Sequence, residues 1–131
     1  MQNDKPSSDS YDSSWDRKSG KKLDQKFDEW AKRDWRPWLQ EHLSFPFEVK
    51  RTEDDDEAYF TDIADKKPFR LGHVMKALAL ADDDPDWGIT MKVSEGREIG
   101  YIPIVDLQVT SKKDPNYWPI REYAVWFVNS R

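Results

Sequence analysis

Apolar residues change their spacing three times along the chain, and each change predicts a different kind of structure. Residues 1–22 hold almost no apolar side chain apart from Met1, Tyr11 and Trp15, and carry seven Ser or Gly residues. That segment offers too little apolar surface to offset the entropy of ordering, so a polar tail is expected, with a single Trp able to dock. From Leu23 the rhythm becomes helical: Leu23, Phe27, Trp30 and Ala31 recur at three- and four-residue intervals. Pro37 interrupts the run, but proline suits the first turn of a helix. Trp38, Leu39 and Leu43 therefore continue in a second, short helix or a kinked extension of the first. Phe45-Pro46-Phe47 closes a helical segment spanning 23–43.

Residues 44–131 read as strands. Phe47 and Val49 alternate within Phe45–Thr52, and a long polar stretch from Glu53 to Arg70 follows. Leu71 to Ala81, entered through Gly72, forms the second predicted strand. Ile89, Met91 and Val93 alternate strictly in a third. Ser94-Glu95-Gly96-Arg97 supplies a hairpin turn, with Gly96 able to take positive φ. Ile99–Ile104 returns, Val105-Asp106-Leu107 makes a short helical turn, and Glu122–Val128 is expected to be the last strand. The resulting fold class is mainly β: a small SH3-like β-barrel preceded by one or two helices.

Composition narrows the function. The chain has 131 residues, enough for one domain with a modest core, and only 37% of them are hydrophobic. Seven Trp, six Phe and five Tyr compensate, because each buries more area than an aliphatic residue. A net charge of −5 argues against nucleic acid or an anionic membrane as partner. No stretch approaches the roughly 20 apolar residues of a membrane span. The absence of cysteine removes disulfides and thiolate metal sites and fits a reducing cytoplasm.

Acidic residues carry the candidate chemistry. Glu53-Asp54-Asp55-Asp56-Glu57 and Asp82-Asp83-Asp84-Pro85-Asp86 are two dense clusters. Adjacent carboxylates repel by roughly 1 kcal/mol per close pair even in water. A hard, oxygen-seeking divalent cation such as Ca²⁺ or Mg²⁺ relieves that repulsion. In an SH3-like connectivity the two clusters would meet at one rim, bringing together up to nine carboxylates, with Asp62 and Asp65 nearby. The candidate metal ligands are Asp54, Asp55, Asp56, Glu57, Asp82, Asp83, Asp84 and Asp86. Neither cluster is an EF-hand. Counted from Asp82, the position needing Gly is Trp87 and the position needing Glu is Val93. A non-EF site built from loop carboxylates is expected to be weak, with a dissociation constant of ~10⁻⁵ to 10⁻³ M. The plain alternative for such runs is a solvated surface that keeps the protein soluble.

Other residues offer less. His42 and His73 stand in no recognisable pair with each other or with a nucleophile, so no enzyme is expected. Trp87, Tyr101 and Pro103 either close one end of the barrel or line a groove for a basic or proline-containing peptide. Trp30, Trp35 and Trp38 read as a stripe docking the helices, while Trp118 and Trp126 belong to the core.

Four stretches also resemble a known family. They are Trp38-Leu39 with Leu43-Ser44-Phe45-Pro46-Phe47-Glu48-Val49, the Leu71-Gly72 strand start, Ile99-Gly100-Tyr101-Ile102-Pro103-Ile104-Val105-Asp106-Leu107, and Tyr123-Ala124-Val125-Trp126-Phe127. Together they resemble the bacterial CcbP-type calcium-binding family over roughly Pro37 to Asn129. The resemblance implies a small acidic protein that binds Ca²⁺ through surface carboxylates. The chain departs from that pattern in carrying His73 after Gly72 and in its longer charged N-terminal extension.

Overall fold

A computed structural model describes residues 11–16, 20–52 and 67–130. Among these residues, three helices lie against one five-stranded antiparallel sheet. Helix α1 spans Lys21–Ala31 and α2 spans Trp35–His42. Strands β1 (Phe47–Arg51), β2 (Val74–Asp84), β3 (Gly88–Glu95) and β4 (Glu98–Pro103) follow. A 3₁₀ turn at Ile104–Asp106 leads into β5 (Leu107–Val109), and α3 (Tyr117–Asn129) ends the chain.

The sheet order is β4-β3-β2-β1-β5. β1 pairs with β2 through Phe47 and Ala77, and with β5 through Val49 and Val109. β2 is long, and its register against β3 shifts between Ala77 and Ala79 and again between Leu80 and Asp83. Such irregularities bend a strand and increase its twist. Alternation is clearest in β3, where Ile89, Met91 and Val93 are buried between partly exposed neighbours. They meet Val49, Ala77, Ile102, Ile104 and Val109 in the core, together with Leu39, Ile120 and Tyr123 from the helices.

Two expectations are corrected. The sheet is open, with β4 and β5 as its edges, so the described fold is mixed α/β rather than a closed barrel. Glu122–Val128 is helical, not a strand. Ile120, Tyr123 and Phe127 are spaced to pack one helix face, and Pro119 sits in its first turn, where it lacks no needed donor. The acidic run also differs from expectation. Asp82, Asp83 and Asp84 end β2 itself, leaving Pro85, Asp86 and Trp87 as the turn.

Trp15, the one tryptophan of the polar segment, is docked at 2% exposure. It meets the rings of Trp30 and Trp118 edge-on, with centroids 5.1 and 6.0 Å away. Such pairs add stabilisation beyond area burial, and this holds the segment before α1 on the helices.

Candidate functional site

The β2–β3 hairpin is fixed by contacts from behind. Arg36 of α2 donates to the Ala81 carbonyl at 2.6 Å and pairs with the Asp83 carboxylate. From α3, the Tyr123 hydroxyl accepts a hydrogen bond from the Ile89 amide at 2.9 Å. Gly88 completes the seat. Its φ is +77°, and a Cβ there would overlap the Tyr123 hydroxyl and the Phe127 ring. Burial pushes the Tyr123 phenol above its ordinary value, so this hydroxyl stays neutral.

Within the turn, Asp84 Oδ1 accepts from the amides of Asp86 (2.8 Å) and Trp87 (3.0 Å). The Asp82 carbonyl accepts from Thr90 Oγ1 at 2.7 Å. Asp82, Asp83 and Asp86 are exposed and Asp84 is half-buried. The structure thus places four of the eight predicted ligands on one hairpin, with Asp83 paired to Arg36. Asp54, Asp55, Asp56 and Glu57, with Glu53, Asp62 and Asp65, lie outside the described residues.

Register shows what this hairpin faces. Asp84 pairs with Gly88, and Thr90 pairs with Pro103, so the turn and the end of β4 share one end of the sheet. The 3₁₀ turn then carries the chain from Pro103 to β5, where Leu107 pairs with Arg51 at the end of β1. Thr52, the last described residue before the first acidic cluster, donates its amide to the Asp106 carbonyl at 2.7 Å. Thr52, Asp84, Trp87 and Asp106 all line one cleft. Asp106 is a carboxylate of this cleft that the search for dense acidic runs passes over, because it stands alone in sequence.

Among the described residues, no group of three or more His, Asp or Glu side chains is arranged to hold a metal ion. The hairpin aspartates supply hard oxygen donors without a complete site of their own. The histidines have other engagements. His42 stacks on Trp38 with its Nδ1 2.7 Å from the Trp38 carbonyl, and His73 Nδ1 lies 2.9 Å from Glu95 Oε2. Trp30 and Trp35 are buried as the docking stripe requires, with Trp38 packed beside them, and Trp118 is buried in the core. Trp126 packs against that core partly buried.

A second carboxylate feature escaped sequence reasoning. Glu122 on α3 is 3% exposed. Its Oε1 accepts from Trp30 Nε1 (2.7 Å) and Arg33 Nη1 (3.0 Å), and its Oε2 accepts from the Tyr11 hydroxyl (2.6 Å). Tyr11 Oη in turn accepts from Trp15 Nε1 at 2.8 Å. Burial first, then the neighbouring Glu122 charge, pushes the Tyr11 phenol far up. The only signal for this hub lies in the helical phase of residues 117–129, which must be recognised before Glu122 can be turned inward.

These observations define a small α/β protein with an acidic hairpin at the mouth of a cleft. No helix among the described residues is long and apolar enough to cross a membrane. The chain belongs to the CcbP calcium-binding family, whose model, described as calcium binding, matches residues 23–127. No curated protein and no solved structure matches the chain.

Proposed function

We propose that this is a non-enzymatic calcium-binding protein whose Ca²⁺ is held at the cleft mouth. The hairpin carboxylates Asp82, Asp84 and Asp86 would supply one side, Asp83 being paired with Arg36, and the acidic run that begins after Thr52 the other. The observation that carries this reading is that Thr52, the residue before the first cluster, and Asp84, a member of the second, line the same cleft. Family membership independently supports calcium as the cation. The donor chemistry agrees: every candidate is an oxygen, the hard ligand Ca²⁺ prefers, and no nitrogen or sulfur ligand is required.

Bound there, Ca²⁺ would neutralise carboxylate charge. The protein's part is positional. Arg36, Tyr123 and Gly88 hold the hairpin in place, and the Thr52–Asp106 hydrogen bond holds the entry to the first cluster beside the 3₁₀ turn. The strand order and the 3₁₀ turn between β4 and β5 support reading the sheet as an SH3-type arrangement left open. Affinity is weak, ~10⁻⁵ to 10⁻³ M, because exposed carboxylates on flexible stems must be ordered on binding.

Calorimetric titration with Ca²⁺ and with Mg²⁺ tests the reading. The wild type should bind Ca²⁺ in that range, and replacing Asp82, Asp84 and Asp86 together by Asn should weaken binding at least tenfold while the fold persists. Unchanged affinity in the triple variant would place the ion elsewhere.

A further inference from the structure

The acidic hairpin also presents an aromatic side chain to solvent. Trp87 is 50% exposed and Val128 is 64% exposed, and both line the cleft together with Pro103 and Val105. Their proximity is built in. Gly88 packs against Tyr123 and Phe127 so closely that no side chain fits between them. Trp87 precedes that glycine and Val128 follows that phenylalanine, so the contact keeps the backbones carrying both residues beside the cleft they line.

Charge on this wall is asymmetric. Asp84 and Asp106 line the cleft, and Asp86 is exposed beside Trp87. Of the two arginines of the cleft, Arg121 is neutralised by an ion pair, whereas Arg51 is held by a backbone carbonyl and keeps its charge, so the carboxylates outnumber the cations. Arg121 pairs with Asp16 at 2.9 Å, and Arg51 Nη1 donates to the Phe69 carbonyl at 2.7 Å. An acidic, aromatic wall suits an apolar side chain flanked by a cation, which gains both carboxylate attraction and the indole face. A second copy of this chain, at net charge −5, brings like charge instead.

We propose that the Trp87–Pro103–Val128 surface docks a peptide segment that combines apolar side chains with Lys or Arg. The apolar group rests on Trp87 and Val128, and the cation points to Asp84 and Asp106. Peptide docking shares Asp84 with the proposed ion site but needs no ion, so it holds with calcium removed.

Fluorescence anisotropy with labelled twelve-residue peptides, in the presence of a chelator, tests it. One peptide contains Lys, Leu and Pro, a second replaces Lys by Glu, and a third replaces Leu and Pro by Ser. Only the first should bind. Its affinity should drop about tenfold in Trp87→Ala, as for an exposed aromatic anchor. It should drop severalfold as salt rises from ~50 to ~300 mM. Val128→Ser, at an exposed position near the helix end, should weaken binding by a smaller factor, and thermal melts check that both variants remain folded. Binding of the Glu peptide equal to that of the Lys peptide, no binding of any peptide, or affinity indifferent to both substitutions would overturn the proposal. Concentration-dependent self-association in ultracentrifugation that disappears in Trp87→Ala would overturn it too, making a second copy the occupant.

Discussion

Two faces of α3 treat carboxylates in opposite ways. One face turns Glu122 inward, where both oxygens accept hydrogen bonds from Tyr11, Trp30 and Arg33. The guanidinium of Arg33 lies over Trp38 at 3.9 Å from the ring centroid, so charge and aromatic surface are shared in one buried network. The other face, through Tyr123 and Phe127, seats a hairpin on which Asp82 and Asp86 are exposed to solvent. Exposed carboxylates keep their hydration and remain available to a cation, whereas a saturated buried carboxylate organises the fold. Counting acidic residues therefore says little about function until the fold has sorted them into these two kinds.

The sharpest contrast comes from deleting the buried charge. Glu122→Ala removes the acceptor of Trp30 Nε1, the Tyr11 hydroxyl and Arg33 Nη1, leaving Arg33 paired with Glu29 alone among the described residues, and should cost about 3–5 kcal/mol in urea unfolding. If the loss were below ~1 kcal/mol, Glu122 would not be the organiser described here. Next in size is Gly88→Ala, which combines a positive φ with overlap against Tyr123 and Phe127. It should destabilise by about 2–3 kcal/mol, read by thermal unfolding, and loosen the hairpin.

Tyr11→Phe removes one donor to Glu122 and should cost about 1–2 kcal/mol. A pH profile adds a signature. Because the folded-state phenol is raised above its unfolded value of about 10, the stability it contributes is present below pH ~10 and is lost as pH rises beyond it. Tyr11→Phe should flatten part of that alkaline decline, leaving the part due to Tyr123, which burial also raises. The smallest effect is expected at Arg36→Ala. Its partner Asp83 is exposed, so the pair contributes about 0–1 kcal/mol in a denaturant titration.

Much of the architecture could be read from spacing alone. Leu23, Phe27 and Trp30 gave α1, Pro37 at the start of a turn gave α2, and strict alternation gave β3 with its hairpin to β4. The final helix was misread because Tyr123–Val128 is an unbroken apolar run in which every residue but Ala124 is aromatic or β-branched, which favours a strand when periodicity is absent. Extending the window back to Ile120 reveals the three- and four-residue spacing. β5 was missed because three residues, Leu107–Val109, leave almost no pattern to detect. At the site, charge density pointed to the Asp82–Asp86 hairpin. It could not reveal that Asp83 would meet Arg36, that Asp106 would join the cleft, or that Glu122 would turn inward, since each depends on contacts distant in sequence.

The most direct test of ion binding at the cleft mouth is a calcium titration followed residue by residue in ¹⁵N amide spectra. Amides of Thr52, Asp84, Asp86, Trp87 and Asp106 should shift together and saturate at one concentration, while those around Glu122 stay still. Shifts confined to surfaces away from Thr52 and the hairpin, or none at millimolar Ca²⁺, would contradict the account.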